Sequence, residues 1–364
     1  MNTFGLSSLN AELPLKHQFI AADAVNREVV VCMSRMFLYE NWQVLLTSLE
    51  IYRNYRADLL VAYVDSVVTG VFDLLKVYER EGLVMIEPSI KVHYTREMPF
   101  DPNRENEWGN QMIVYNHCLY KFRESAEFVV FADWDDALIP RSEGVGMAEP
   151  LRSLFARDPQ VGAFQLHRMS TTLFAASDPN NFDFKTTLTT MQVSQFFGAG
   201  KTVVIPSRVK GAWVHTPSQF EHGYKLGYAK TSDSWFYHLR RLFTYKLRRP
   251  DQAVARPNQL NTSEMVQSFA DFHESRNLKK IFPELPKRHI YLALMEKCYN
   301  TMAHLFHLNS RKQCPNQAMC SIPKTSIRCV NVVHHFESMD FAPSLTISHS
   351  TDMRFLYSKT GCIP

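Results

Sequence analysis

The chain of 364 residues is short of glycine, with only 13, about half the ~7% of an average protein. It carries neither a GxGxxG fingerprint nor a GxxxxGK[ST] loop, so the glycine-dependent ways of cradling a phosphate lack their basis. No run approaches the ~20 apolar residues that a membrane-spanning helix needs. The amino-terminal stretch lacks the charged start and apolar block of a secretory leader. An excess of one charge is missing too: 40 Lys and Arg against 36 Asp and Glu leave a formal net charge of +4. That is too small at this length for a dedicated nucleic-acid binder. What remains is an ordinary globular mixture, 45% hydrophobic and 21% charged, long enough for one large α/β domain or two smaller units.

Residues 1–27 show no periodicity and read as an arm or linker. Residues 28–33, EVVVCM, form a β-branched run of the kind expected in a buried parallel strand. Trp42, Leu45, Leu46, Leu49 and Tyr52 then recur at helical spacing, with Asn41 placed to cap them. The alternation repeats. LLVAYV at 59–64 precedes a helical stripe of Val71, Leu74, Leu75 and Tyr78, which stops at Gly82, a residue type favoured just past a helix end. LVMI at 83–86, a helix from about Asn110 to Phe122, and FVVFA at 128–132 follow. Strands alternating with helices predict a mostly parallel sheet covered on both faces. Further strands are expected at 163–168 and 201–206, with a polar loop between them.

The segment FVVFADWDDALIP delivers Asp133, Asp135 and Asp136 to the carboxyl end of a predicted strand, the edge where open parallel sheets bind ligands. Carboxylates this close repel one another unless a cation sits among them. Hard oxygen ligands suit magnesium or manganese, which complete their shell with water and phosphate oxygens. The D-x-D spacing is unspecific; its position after a buried strand carries the inference. A turn or helix-cap role is the competing explanation, for Asp136 especially.

Three separated blocks, from VVVCMSRMFLYENW through EREGLVMIEP to WGNQMIVYNHCLYKFRESAEFVVFADWDDALIP, resemble glycosyltransferase family 92. The likeness runs from about residue 28 to 240 and resumes in the tail. It implies an α/β GT-A fold with a Rossmann-like sheet, whose catalytic domain spans 28–290. The donor half is 28–140, the acceptor half 141–290, and 291–364 forms a cysteine-bearing extension packed on it. It also implies inverting transfer of a hexose, galactose from UDP-galactose, onto a glycan hydroxyl, with Mn2+ or Mg2+ as cofactor. Carried over by position, Asp133 and Asp135 match the metal and diphosphate motif, with Asp133 also near the donor. Ser34, Arg35, Asn116 and Arg123 are then donor-binding residues. His238, or alternatively His215, is a further metal ligand. This chain has Leu239 where the family usually has an aromatic residue between that histidine and an arginine.

Inverting transfer also needs a base for the acceptor proton, and Asp233, Glu221 and Asp183 are the candidates. The partners are a sugar nucleotide and a glycan acceptor on a glycoprotein or glycolipid. The resemblance implies a membrane-associated Golgi protein with a lumenal catalytic domain, although no anchor is visible in the chain. Two other functions fit parts of the sequence: a degenerate family member that binds glycan without turnover, and a metal-dependent nucleotidyl or phosphoryl transferase. The basic run Arg240, Arg241, Lys246, Arg248 and Arg249 is read as a solvated helix face rather than a nucleic-acid patch.

Of the seven cysteines, Cys32 and Cys118 sit in apolar elements and read as small hydrophobes. Cys314, Cys320, Cys329 and Cys362 crowd the tail and are the expected lumenal disulfide partners, forming two bridges in one of three ways. Asn261-Thr262-Ser263 is a possible glycosylation site.

Overall fold

The computed structural model describes residues 3–6, 11–14, 22–141, 146–174, 176–230, 232–242, 254–255, 260–308, 316, 320–342 and 345–363. A small hairpin of β1 (Thr3–Leu6) and β2 (Ala11–Pro14) comes first. Strands and helices then alternate: β3 (Arg27–Met33), α1 (Trp42–Asn54), β4 (Leu59–Val64), β5 (Ser66–Val68), α2 (Thr69–Arg80) and β6 (Val84–Pro88). Next come α3 (Pro102–Glu105), α4 (Gln111–Lys121), β7 (Ala126–Ala132), β8 (Asp136–Ile139) and α5 (Ala148–Phe155). The second half holds β9 (Val161–Phe174), α6 (Phe184–Thr190), β10 (Gln192–Val204), β11 (Val209–Ala212), β12 (Pro217–Phe220), β13 (Lys225–Tyr228), β14 (Trp235–Leu242) and β15 (Val254–Ala255). The chain closes with α7 (Thr262–Ser275), α8 (Tyr291–Leu308), β16 (Cys329–Ala342) and β17 (Leu345–Ser358).

The main sheet runs in the order β6-β4-β3-β7-β10-β9-β14-β8. Its first four strands are parallel, as the alternating pattern predicts. Beyond β7 the direction reverses: β10 is antiparallel to both β7 and β9. Buried apolar runs look alike in either direction, so the sequence carried no sign of this switch. The result is the α/β GT-A arrangement, with a mixed sheet between helical layers.

Alternation along the strands splits the core in two. Val29 and Val31 face the cluster built on α1 and α2, while Val30 and Cys32 face the cluster built on α4. Each fully buried valine contributes roughly 1.5–3 kcal/mol. Helix α1 ends its first turn without the expected side-chain cap: Asn41 stands at the cap position, but its side chain accepts no hydrogen bond there. Gly82, just past α2, adopts φ +77°, the left-handed conformation that suits glycine at such a site. The expected polar loop after β9 contains α6, whose amino end is capped by Asp183.

The cysteine expectations need correction. Cys32 and Cys118 are bonded to each other, joining β3 to α4. They are 86 residues apart in sequence, and only the packing of the helix on the strand brings them together. In the tail, Cys329 pairs with Cys362, but Cys320 pairs with Cys298 of α8; Cys314 lies outside the described residues. The start of the basic run is also not helical, because Arg240 is an exposed residue of β14. Lys246, Arg248 and Arg249 lie outside the described residues.

A chain-entropy estimate for closing a loop of that length is about 4–5 kcal/mol. The Cys32→Ala/Cys118→Ala variant is therefore expected to lose about 2–5 kcal/mol in urea denaturation. A loss below about 1 kcal/mol would remove this bridge from the stabilising interactions of the core.

Candidate active site

Strand β7 ends at Ala132, and the chain turns sharply through Asp133-Trp134-Asp135 into β8. The turn closes with Asp136 N donating to Asp133 O at 2.8 Å. The Trp134 indole, nearly buried, donates to Ser34 O at 2.7 Å, tying the turn to the end of β3. From the other side the Tyr52 hydroxyl of α1 donates to Asp136 O and accepts from Leu138 N.

The three aspartates have different surroundings. Asp133 accepts from Gln111 Nε2 at 2.8 Å, the Tyr115 hydroxyl at 3.2 Å and Lys201 Nζ at 2.7 Å. Burial would raise its carboxyl, but Lys201, Arg168 and the Gln111 hydrogen bond together outweigh burial and hold it well below the ordinary range. Asp136 is fully buried; Arg168 Nε lies 3.1 Å from its Oδ1 and Lys201 Nζ 3.6 Å from its Oδ2. Asp135 sits at the rim, its nearest basic partner being His238 Nδ1 at 3.4 Å. Desolvation raises Asp135 to about 6, against the pull of His238 and with the push of Asp136 and Asp133.

His238 reaches this cluster because β14 pairs antiparallel with β8, placing it directly opposite Asp136. Its Nδ1 lies 3.1 Å from Asp136 Oδ1, and Arg168 Nη2 lies 2.9 Å from Nδ1 and 2.8 Å from Nε2, against both ring nitrogens. Asp135, Asp136 and His238 offer ligand atoms that all lie within 4.8 Å of one another.

Of the predicted residues, Asp133, Asp135 and His238 therefore meet here, with Ser34 alongside. The grouping differs in one respect. Asp136, expected as a cap or supporting group, joins Asp135 and His238, whereas the oxygens of Asp133 are held by Gln111, Tyr115 and Lys201. His215 is near as well: its Nδ1 donates to Gly200 O at 2.8 Å. Burial first, then Lys201, lower its pKa and keep it neutral near pH 7. Arg35 lies past the end of β3, stacked on Phe37 and 3.4 Å from Asp65.

The remaining expectations fail on geometry. Asn116 clamps the backbone, donating to Ala212 O and accepting from Ala212 N. Arg123 follows the carboxyl end of α4, at the amino-terminal edge of the parallel strands and opposite the acidic turn. It donates to Val209 O and pairs with Glu221 at 2.8 Å, so neither residue of this pair faces the cluster. Asp233 accepts from Lys230 N and pairs with Arg157. It lies five residues before His238, roughly 16 Å for an extended strand. Asp183 accepts from Lys185 N and Thr186 N as the cap of α6. Sequence reasoning missed Gln111, Lys201 and Arg168, which come from a helix and two strands far apart in the chain.

Residues 27–282 match the model of glycosyltransferase family 92. One family 92 protein of Caenorhabditis elegans is 29% identical, over 92% of this chain and 68% of its own length. A second from the same organism is 27% identical over 92% and 73%. Among solved structures, a mannosyltransferase of Pyrobaculum calidifontis in complex with GDP-Man and Mn2+ covers 81% of this chain and 80% of its own. Its identity is 12% and its TM-score 0.33, too loose an overlap to bear on the site. A family match across more than half of the sequence, with relatives aligned along nearly all of it, settles the relationship: the chain belongs to glycosyltransferase family 92.

Proposed function

We propose that the chain transfers a hexose, with galactose from UDP-galactose as the leading donor, onto a glycan hydroxyl with inversion and with Mn2+ or Mg2+ bound. The supporting observation is the convergence of Asp135, Asp136 and His238 at the carboxyl edge of the sheet. Two carboxylates and an imidazole suit a manganese-type cation, and the rim position of Asp135 leaves an approach from solvent. Asp135, Asp136 and His238 would hold the ion, with Arg168 giving up its contact to the His238 ring. A divalent ion held by them would supply charge neutralisation to a diphosphate leaving group.

The protein's own groups do the rest. Lys201 holds Asp133 ionised and fixed, while Gln111 and Tyr115 set its orientation. Arg168, freed from His238, supplies a guanidinium fork of the kind that pairs with phosphate oxygens. Ser34 and Arg35, at the end of β3, hold the nucleoside end of the donor. Asp233, Glu221 and Asp183 are committed elsewhere. His215, neutral and with Nδ1 engaged by Gly200 O, takes the acceptor proton at Nε2 in this scheme.

Three disulfides fit an oxidising compartment such as the Golgi lumen, where a glycoprotein or glycolipid acceptor is at hand. No helix among the described residues is long and apolar enough to cross a membrane. The test is direct. With Mn2+ present, UDP-galactose should bind and be slowly hydrolysed in the absence of acceptor. Absence of both binding and hydrolysis with every UDP-hexose tried would overturn the proposal.

A further inference from the structure

A second polar centre lies at the carboxyl ends of β4 and β6, outside the metal cluster. Asp65 follows β4 directly and is 2% exposed. Arg35 Nη1 stands 3.4 Å from its Oδ2, and Lys91 Nζ 3.1 Å from its Oδ1. Yet neither Asp65 oxygen nor Arg35 Nη2 has a hydrogen-bond partner. Buried polar atoms in that state cost free energy unless something completes them.

One wall of this centre comes from more than 200 residues downstream. Strand β16 pairs with β5, and Val332 N donates to Asp65 O at 2.8 Å. Val332, His334 and Phe336 alternate onto one face of β16. The rings of His334 and Phe336 stack at 5.8 Å and 12°, and the His93 ring lies 4.8 Å from Phe336. The Cys329–Cys362 bridge fixes the base of the hairpin, and Ile363 N donates to Asn331 Oδ1 beside it. This hairpin lies beyond residue 282, where the family match ends.

We infer that the β16–β17 hairpin completes the nucleobase end of the donor pocket, with His334 as a stacking face and Asp65 and Arg35 as its polar edge. The inference rests on the donor assignment made above. A uracil ring presents one N–H between two carbonyls. Asp65 accepts the N–H, and Arg35 Nη2 donates to a carbonyl. His334 is a positioning residue, orienting the base through its ring face and taking no part in bond making.

The test uses the full oxidised chain with Mn2+ and compares UDP with inorganic pyrophosphate, which has no base, by titration calorimetry. His334→Ala should weaken UDP about tenfold and leave pyrophosphate unchanged, whereas His334→Phe, which keeps a stacking face, should stay within about threefold of wild type. Wild-type affinity for UDP in His334→Ala overturns the inference. So does an equal loss of pyrophosphate, which makes His334 a general structural residue. If the wild type binds pyrophosphate but not UDP, the donor assignment falls and takes the inference with it.

Discussion

Asp135→Asn is expected to abolish Mn2+ binding and lower turnover roughly a thousandfold, about 4 kcal/mol of transition-state stabilisation. Asp135 is the cluster carboxylate at the rim, and its nearest basic partner is an imidazole rather than a lysine. Desolvation first, then the adjacent Asp136 and Asp133, raise its pKa to about 6 in the metal-free protein. A metal must displace that proton. Affinity for Mn2+ should therefore fall as pH drops through about 6 in the wild type. The stability term has the opposite sign. A folded-state pKa above the unfolded one contributes stability that is fully present below about 4, the unfolded carboxylate range, and is lost as pH rises through about 6. Calorimetric titration with Mn2+ across this window checks the binding, and urea denaturation in chelator over the same pH range checks the stability. Retained tight binding in Asp135→Asn would transfer the metal site to other residues.

Lys201→Met is expected to cost about 3–5 kcal/mol of stability at neutral pH, because it removes the cation from a buried ion pair and leaves the anions behind. Lys201 is fully buried, 2.7 Å from Asp133 and 3.6 Å from Asp136. In the wild type the depressed pKa of Asp133 contributes stability above the unfolded carboxylate range that is lost as pH falls. Without Lys201, burial and the adjacent Asp136 push the same carboxyl upward. The pH dependence then inverts, and the deficit should shrink as Asp133 takes a proton in mild acid. Urea denaturation in chelator at neutral and mildly acidic pH measures this. A deficit under about 1 kcal/mol at neutral pH would mean that Asp133 relaxes to another partner or to water.

These two residues also mark the limit of what sequence alone displays. Asp135 was legible because a buried strand, read from FVVFA, carries it to the ligand-binding edge within a few residues. The parallel half of the sheet was legible for the same reason: each β-branched run and the helical stripe after it are local signals. Lys201 was not legible. It sits in an apolar strand, KTVVIP, whose antiparallel register against β7 and β9 depends on contacts far along the chain. Arg168 was hidden in the same way, while Gln111 lies in the family-like block at the start of α4 with no local sign of its bond to Asp133. Asn116 and Arg123 misled because they lie in a block that matches the family, yet one clamps a backbone and the other belongs to the opposite edge of the sheet. The Cys32–Cys118 bridge had no sequence signal beyond two apolar settings, which suggest a buried thiol as readily as a bond.

The reversal of direction between β7 and β10 has a consequence for the order of assembly. It brings a lysine up against a turn that otherwise gathers three carboxylates, while β9, next in the sheet, adds an arginine. Two built-in cations against three anions leave a single uncompensated negative charge. The centre can thus form during folding without waiting for an ion, and still retains a pull on a dication afterwards. A dication taken up there would then come late to a finished scaffold, not serve as the keystone around which the chain must first organise.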